Sequence, residues 1–83
     1  MKIQILCQEC QRCDVLERNV LVAAKTIGID FELERIEQNR KELFSVIGVP
    51  ELVIDGEVRS IGRVLSPEEL MKLFKFILHA AAQ

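Results

Sequence analysis

The chain contains no tryptophan and no tyrosine, and its 83 residues include one histidine, two prolines and four glycines. With no basic block and neither of those aromatics to stack on bases, nucleic acid is a poor candidate for a partner. Scarce Pro and Gly, with 49% hydrophobic and 29% charged residues, exclude collagenous, low-complexity and disordered classes. Long apolar runs are missing too. The longest, Val20 to Ala24, falls far short of the roughly 20 residues that span a bilayer. Met1-Lys2 leads into a short strand pattern in place of a signal-peptide core, so a soluble, cytoplasmic protein is expected. The net charge of −2 gives no reason to expect an anionic membrane surface as partner. No repeat and no linker interrupts the sequence, and its length suits one domain over residues 1–83.

What is present is a dense set of element signals. Ile3 and Ile5 share one face of a strand over Lys2 to Leu6, which ends at Cys7. Leu16, Val20, Ala23 and Ile27 recur at helical intervals from Gln11 to Ile27, and Gly28 closes that helix. Phe31-Glu32-Leu33-Glu34 alternates as a half-buried edge strand does. Asn39 and Glu42 resemble a capping box before Leu43, Phe44 and Ile47, which predicts a short helix stopped by Gly48. Leu52-Val53-Ile54 reads as a strand covered on both faces, Asp55-Gly56 as a hairpin turn, and Glu57 to Ile61 as an outer return strand. Ser66 caps the last helix, with Pro67 at its first position, Glu69 completing the box and Leu65 stapling onto Leu70. Its stripe is Leu70, Leu73, Phe74, Ile77 and Ala81. The order βαβαββα predicts an α/β fold with a four-stranded mixed sheet flanked by three helices, and a parallel, right-handed first crossover.

The three cysteines all fall within the first thirteen residues, too close together to staple distant parts of the chain, so they point to chemistry. Cys10-Gln11-Arg12-Cys13 lies where a buried strand passes into a helix. A thiolate there faces free N–H groups and the positive end of the helix dipole, which makes Cys10 the nucleophile. Cys13, one turn on, is placed to attack a mixed disulfide at Cys10 and release a reduced substrate. Arg12 favours the thiolate, whereas Glu9 and Asp14 oppose it. Cys7 has three readings: a small buried residue, a partner in an alternative disulfide or a redox-modulating thiol, and a metal ligand. Cys7, Cys10 and Cys13 follow the first three positions of a ferredoxin-type run, but Glu17 stands in the fourth. A three-thiolate site for a soft metal, with an outside fourth ligand, is thus the alternative function. The single His79 is far along the chain and complements a helix C-terminus.

Strand, CxxC, helix, strand, helix, X-Pro, hairpin and helix together resemble the thioredoxin and glutaredoxin fold, in particular the small redox-active disulfide proteins. The likeness runs through Cys10-x-x-Cys13, Gly28-Ile29-Asp30, Val49-Pro50, Asp55-Gly56 and Ile61-Gly62-Arg63. It implies a thiol–disulfide oxidoreductase with Cys10 attacking, Cys13 resolving and Pro50 as the cis-proline that faces the disulfide. Val49, Pro50, Gly62 and Arg63 then form the substrate-binding edge. Topology agrees, because a third strand antiparallel to the first starts where the first ends. Gln11-Arg12 stands where thioredoxins usually carry Gly-Pro, and Ile61-Gly62-Arg63 where glutaredoxins carry a Gly-Gly pair. No bound cofactor is implied. The implied partners are disulfide-containing proteins and an upstream reductase, acting on a monomer. A non-catalytic interaction domain of the same fold remains a third reading.

Overall fold

The computed structural model describes residues 1–7, 11–37 and 50–81. They form β1 (Lys2–Cys7), α1 (Gln11–Ile27), β2 (Glu32–Glu37), β3 (Glu51–Ile54), β4 (Glu57–Ile61) and α2 (Pro67–Ala81). The strands make one mixed sheet in the order β2-β1-β3-β4. β1 and β2 are parallel, with Lys2 beside Glu32 and Cys7 beside Glu37. β3 runs antiparallel to β1, and β4 to β3, so β2 and β4 are the edges that their half-polar sequences lead one to expect. Among the described residues there are two helices. The short helix expected over Asn39 to Ile47 lies outside them.

Period two on β1 turns Ile3, Ile5 and Cys7 to one face, and all three are fully buried. Their neighbours across β3, Ile54 opposite Ile3 and Leu52 opposite Ile5, are buried on the same face. Val53, between them, is only half-buried, so the most deeply covered side of β3 is the one that carries Leu52 and Ile54. Helical spacing gives α1 the inner stripe Cys13, Leu16, Val20, Ala23 and Ala24. α2 contributes Leu70, Phe74 and Ile77 to the same core, and the two helices pack against each other there. Each fully buried Leu, Ile or Phe stabilises the fold by roughly 1.5–3 kcal/mol relative to exposure.

The ends of the elements follow local chemistry. Gly28 takes a φ of +72° and donates to the Ala24 carbonyl at 3.0 Å, a left-handed stop for α1. Asp55 and Gly56 both have positive φ, the geometry of a two-residue hairpin turn whose twist suits the strands. Asp55 also accepts from the Lys2 amide at 2.8 Å, which fixes the turn to the start of β1. At α2 the Ser66 hydroxyl accepts from the Glu69 amide and the Glu69 carboxylate accepts from the Ser66 amide, each at 3.1 Å. This is the reciprocal box expected from sequence. β2 extends beyond the alternating residues 31–34 because every residue of β1 finds a partner along it.

Candidate functional site

The C-terminal end of β1, the first turn of α1, the start of β3 and the end of β4 meet along one edge of the sheet. Leu6 pairs with Glu51 and Glu51 with Ile61, so Cys7, Pro50 and Gly62 each come one residue beyond a paired row. The Gly62 amide donates to the Pro50 carbonyl at 2.9 Å. The Arg12 guanidinium donates to the Gly62 carbonyl. Gly62 thereby joins the strand that follows Pro50 to the helix that carries Cys13. Its φ of +71° is the left-handed conformation that turns both of its peptide groups to these partners. Pro50 is fully buried, a small apolar floor beneath this edge.

Cys13 is the third residue of α1 and is fully buried. Its sulfur is bonded to that of Cys7, with the two Cα atoms 6.0 Å apart. Two periodicities create this meeting. Cys7 continues the inward row Ile3, Ile5, and Cys13 begins the inward row Leu16, Val20, where strand and helix converge. The sequence pairs Cys13 with Cys10 and offers an alternative disulfide as one of three readings of Cys7; the bond in the structure is of that second kind. Cys10 and Val49 lie outside the described residues, so the structure brings together Cys13, Pro50 and Gly62 of the expected site and adds Cys7 to them. Arg63 is exposed and pairs with Glu69 at 3.1 Å, which turns its charge toward the N-terminus of α2.

The charges around the first turn of α1 are organised from β2. Arg35 lies opposite Ile5, where the inner face of the sheet reaches its margin. Its guanidinium pairs with Asp14 and, at 3.4 Å, with Glu17 of α1, and it lies 3.7 Å from Glu37. The hydrogen bond and charge of Asp14, followed by the charges of Glu17 and Glu37, raise the Arg35 pKa above its ordinary value. Asp14, adjacent to Cys13, is therefore a compensated charge. The Glu69 carboxyl is held below its ordinary value first by the Ser66 backbone amide, with the Ser66 hydroxyl and Arg63 assisting. From sequence Arg12 has an electrostatic effect only, and nothing marks Arg35. Neither long-range contact leaves a local signal.

Among the described residues no group of His, Cys, Asp or Glu is arranged to hold a metal ion, and Cys7 and Cys13 are bonded to each other in place of being free thiolates. No helix among them is long and apolar enough to cross a membrane.

A family model described as a thioredoxin domain matches residues 1–75. A protein named thioredoxin from Methanothermobacter thermautotrophicus is 42% identical over 74 residues, covering 88% of this chain and 96% of the relative. Among solved structures, one reported as thioredoxin-2, a component of malaria parasite protein secretion machinery, superposes with a TM-score of 0.64. That likeness covers 90% of this chain and 81% of the other at 18% identity, which bears on the fold alone. Since the match runs from β1 well into α2, the chain belongs to the thioredoxin family, and the disulfide it carries makes thiol–disulfide redox chemistry its class of activity.

Proposed function

We propose that this protein reduces protein disulfides through Cys10 and Cys13. The Cys10 thiolate attacks one sulfur of the substrate disulfide, and the other substrate sulfur departs with the electron pair. Cys13 then attacks the Cys10 sulfur of the mixed disulfide, releasing the second substrate thiol and leaving Cys10 bonded to Cys13. Two electrons pass to the substrate. An upstream reductase restores the dithiol, and no bound cofactor takes part. Val49, Pro50, Gly62 and Arg63 serve as the edge on which an extended substrate segment lies, with Pro50 in the cis form. The protein acts as a monomer in the cytoplasm.

The observation that carries this reading is the hydrogen-bonded row Pro50–Gly62–Arg12, which runs from the start of β3 to the N-terminus of α1, beside the disulfide sulfur of Cys13. A thiolate at that helix end is stabilised by unpaired N–H groups and the dipole. Arg12 adds positive charge, and the pairing of Asp14 with Arg35 offsets a charge that would oppose ionisation. The three-thiolate metal reading needs Cys7 and Cys13 as free thiolates, whereas here they share a bond.

Insulin reduction with dithiothreitol as donor tests the proposal. The wild type accelerates precipitation of the insulin B chain and Cys10→Ser does not. Equal rates in the two proteins, or no acceleration by the wild type, refute it.

A further inference from the structure

We propose that Cys7 is a third redox residue, to which the disulfide formed at Cys10–Cys13 passes by internal exchange. This rests on the reading of Cys10 and Cys13 as the attacking and resolving pair. Cys13 forms one disulfide at a time, and in the structure its partner is Cys7. The Cα separation of 6.0 Å lies inside the range of roughly 4.4–6.8 Å that ordinary disulfides span. Both residues sit in regular elements, the last position of β1 and the third of α1. Closing the bond therefore requires no unfolding of the sheet.

The exchange is balanced without an outside oxidant. The Cys7 sulfur attacks the Cys13 sulfur of the Cys10–Cys13 disulfide, and its proton passes to the departing Cys10 sulfur. The Cys7–Cys13 bond forms as the Cys10–Cys13 bond breaks, and the electron pair leaves on Cys10. The protein stays oxidised by two electrons, originally withdrawn by the substrate disulfide. Cys10 precedes Gln11, the first residue of α1, in the sequence, and a thiolate at a helix N-terminus is a good leaving group. Attack by Cys7 is slow, since its sulfur is fully buried.

The two oxidised forms differ in what they expose. Cys7 and Cys13 are both at zero solvent exposure, so their disulfide is closed to a partner protein. Cys10 is meanwhile a thiol with no resolving partner. A reductant reaches the buried bond only after Cys10 attacks Cys13 and reverses the exchange. Cys7 thus stores the oxidised state in the core and withdraws the protein from turnover.

The sequence allows each cysteine to be followed separately. Cleavage after Lys2, Glu9, Arg12 and Glu17 puts Cys7, Cys10 and Cys13 on three different peptides. Full-length protein is oxidised with excess oxidised dithiothreitol, quenched at intervals, blocked with a maleimide and digested with trypsin and a Glu-specific protease. In the wild type, maleimide on Cys10 falls as the Cys10–Cys13 disulfide forms and then recovers to several-fold its level in Cys7→Ser, and the Cys7 and Cys13 peptides become joined. Equal Cys10 labelling in the two proteins at every time overturns the proposal. A second variant is independent of how Cys7→Ser folds. Cys10→Ser forms a monomeric disulfide with the loss of two hydrogens; oxidation only to intermolecular dimers, or none, overturns the proposal. The insulin activity of Cys10→Ser separates the two readings. If that variant lacks both activity and the internal disulfide, only the role of Cys7 fails. If it forms the disulfide yet reduces insulin at the wild-type rate, the assignment of Cys10 fails.

Discussion

The Arg12 guanidinium donates to the carbonyl of Gly62, 50 residues further along the chain, and so fastens the first turn of α1 to the end of β4. Arg12 is exposed, and exposed charged contacts add little to stability. Arg12→Gln is therefore expected to leave the melting temperature almost unchanged while raising the pKa of the Cys10 thiol. The rate of iodoacetamide alkylation against pH measures this, and an unshifted profile contradicts it.

Gly62 holds a φ of +71°, which costs a residue with a Cβ roughly 1–2 kcal/mol. Gly62→Ala is expected to lower the melting temperature by about 4–8 °C per kcal/mol lost and to raise KM for a protein disulfide more than it lowers kcat. Calorimetry and insulin kinetics check the two parts.

At α2, Ser66→Ala removes the hydroxyl that accepts from the Glu69 amide. A lost N-cap costs roughly 0.5–2 kcal/mol, typically about 1. Urea unfolding should show a lower midpoint with an unchanged slope, and redox activity should be retained because the Ser66 hydroxyl bonds to the Glu69 amide of α2 and to no residue of the proposed site.

Glu69 also sets a pH dependence. Its folded-state pKa lies below the ordinary 4.5, so at neutral pH its charge favours the folded protein. That contribution is lost as pH falls from about 4.5 through the folded-state value, where the carboxyl protonates. Glu69→Gln should accordingly be less stable than the wild type at pH 7, with the gap narrowing in acid. A gap independent of pH contradicts this assignment.

Much of the fold is legible in local patterns. The limits of α1 follow from the spacing of Leu16, Val20 and Ala23 and from Gly28, the hairpin from Asp55-Gly56, and α2 from Ser66, Pro67 and Glu69. β2 is harder to read. Arg35 interrupts the apolar alternation after Leu33, yet it occupies the inner face and meets Asp14 and Glu17 on α1. Only pairing along the whole of β1 carries the strand to Glu37. At the site, Pro50 and Gly62 are brought to one edge by antiparallel topology, which the element order already implies. The Cys7–Cys13 bond is also written in the sequence, as the parity of 3, 5 and 7 on β1 and the spacing of 13, 16 and 20 on α1. Ending the strand at Leu6 conceals it. The bonds of Arg12 to Gly62 and Arg35 to Asp14 join distant residues and have no local signature.

The central claim is that Cys10 meets the substrate and Cys13 releases it. Trapping the covalent intermediate tests this most directly: Cys13→Ser protein is mixed with a disulfide-bonded substrate, quenched in acid, digested and mapped by mass. A stable mixed disulfide on Cys10 is expected. An adduct on Cys7 in its place, or no adduct under conditions where the wild type reduces the same substrate, would contradict it.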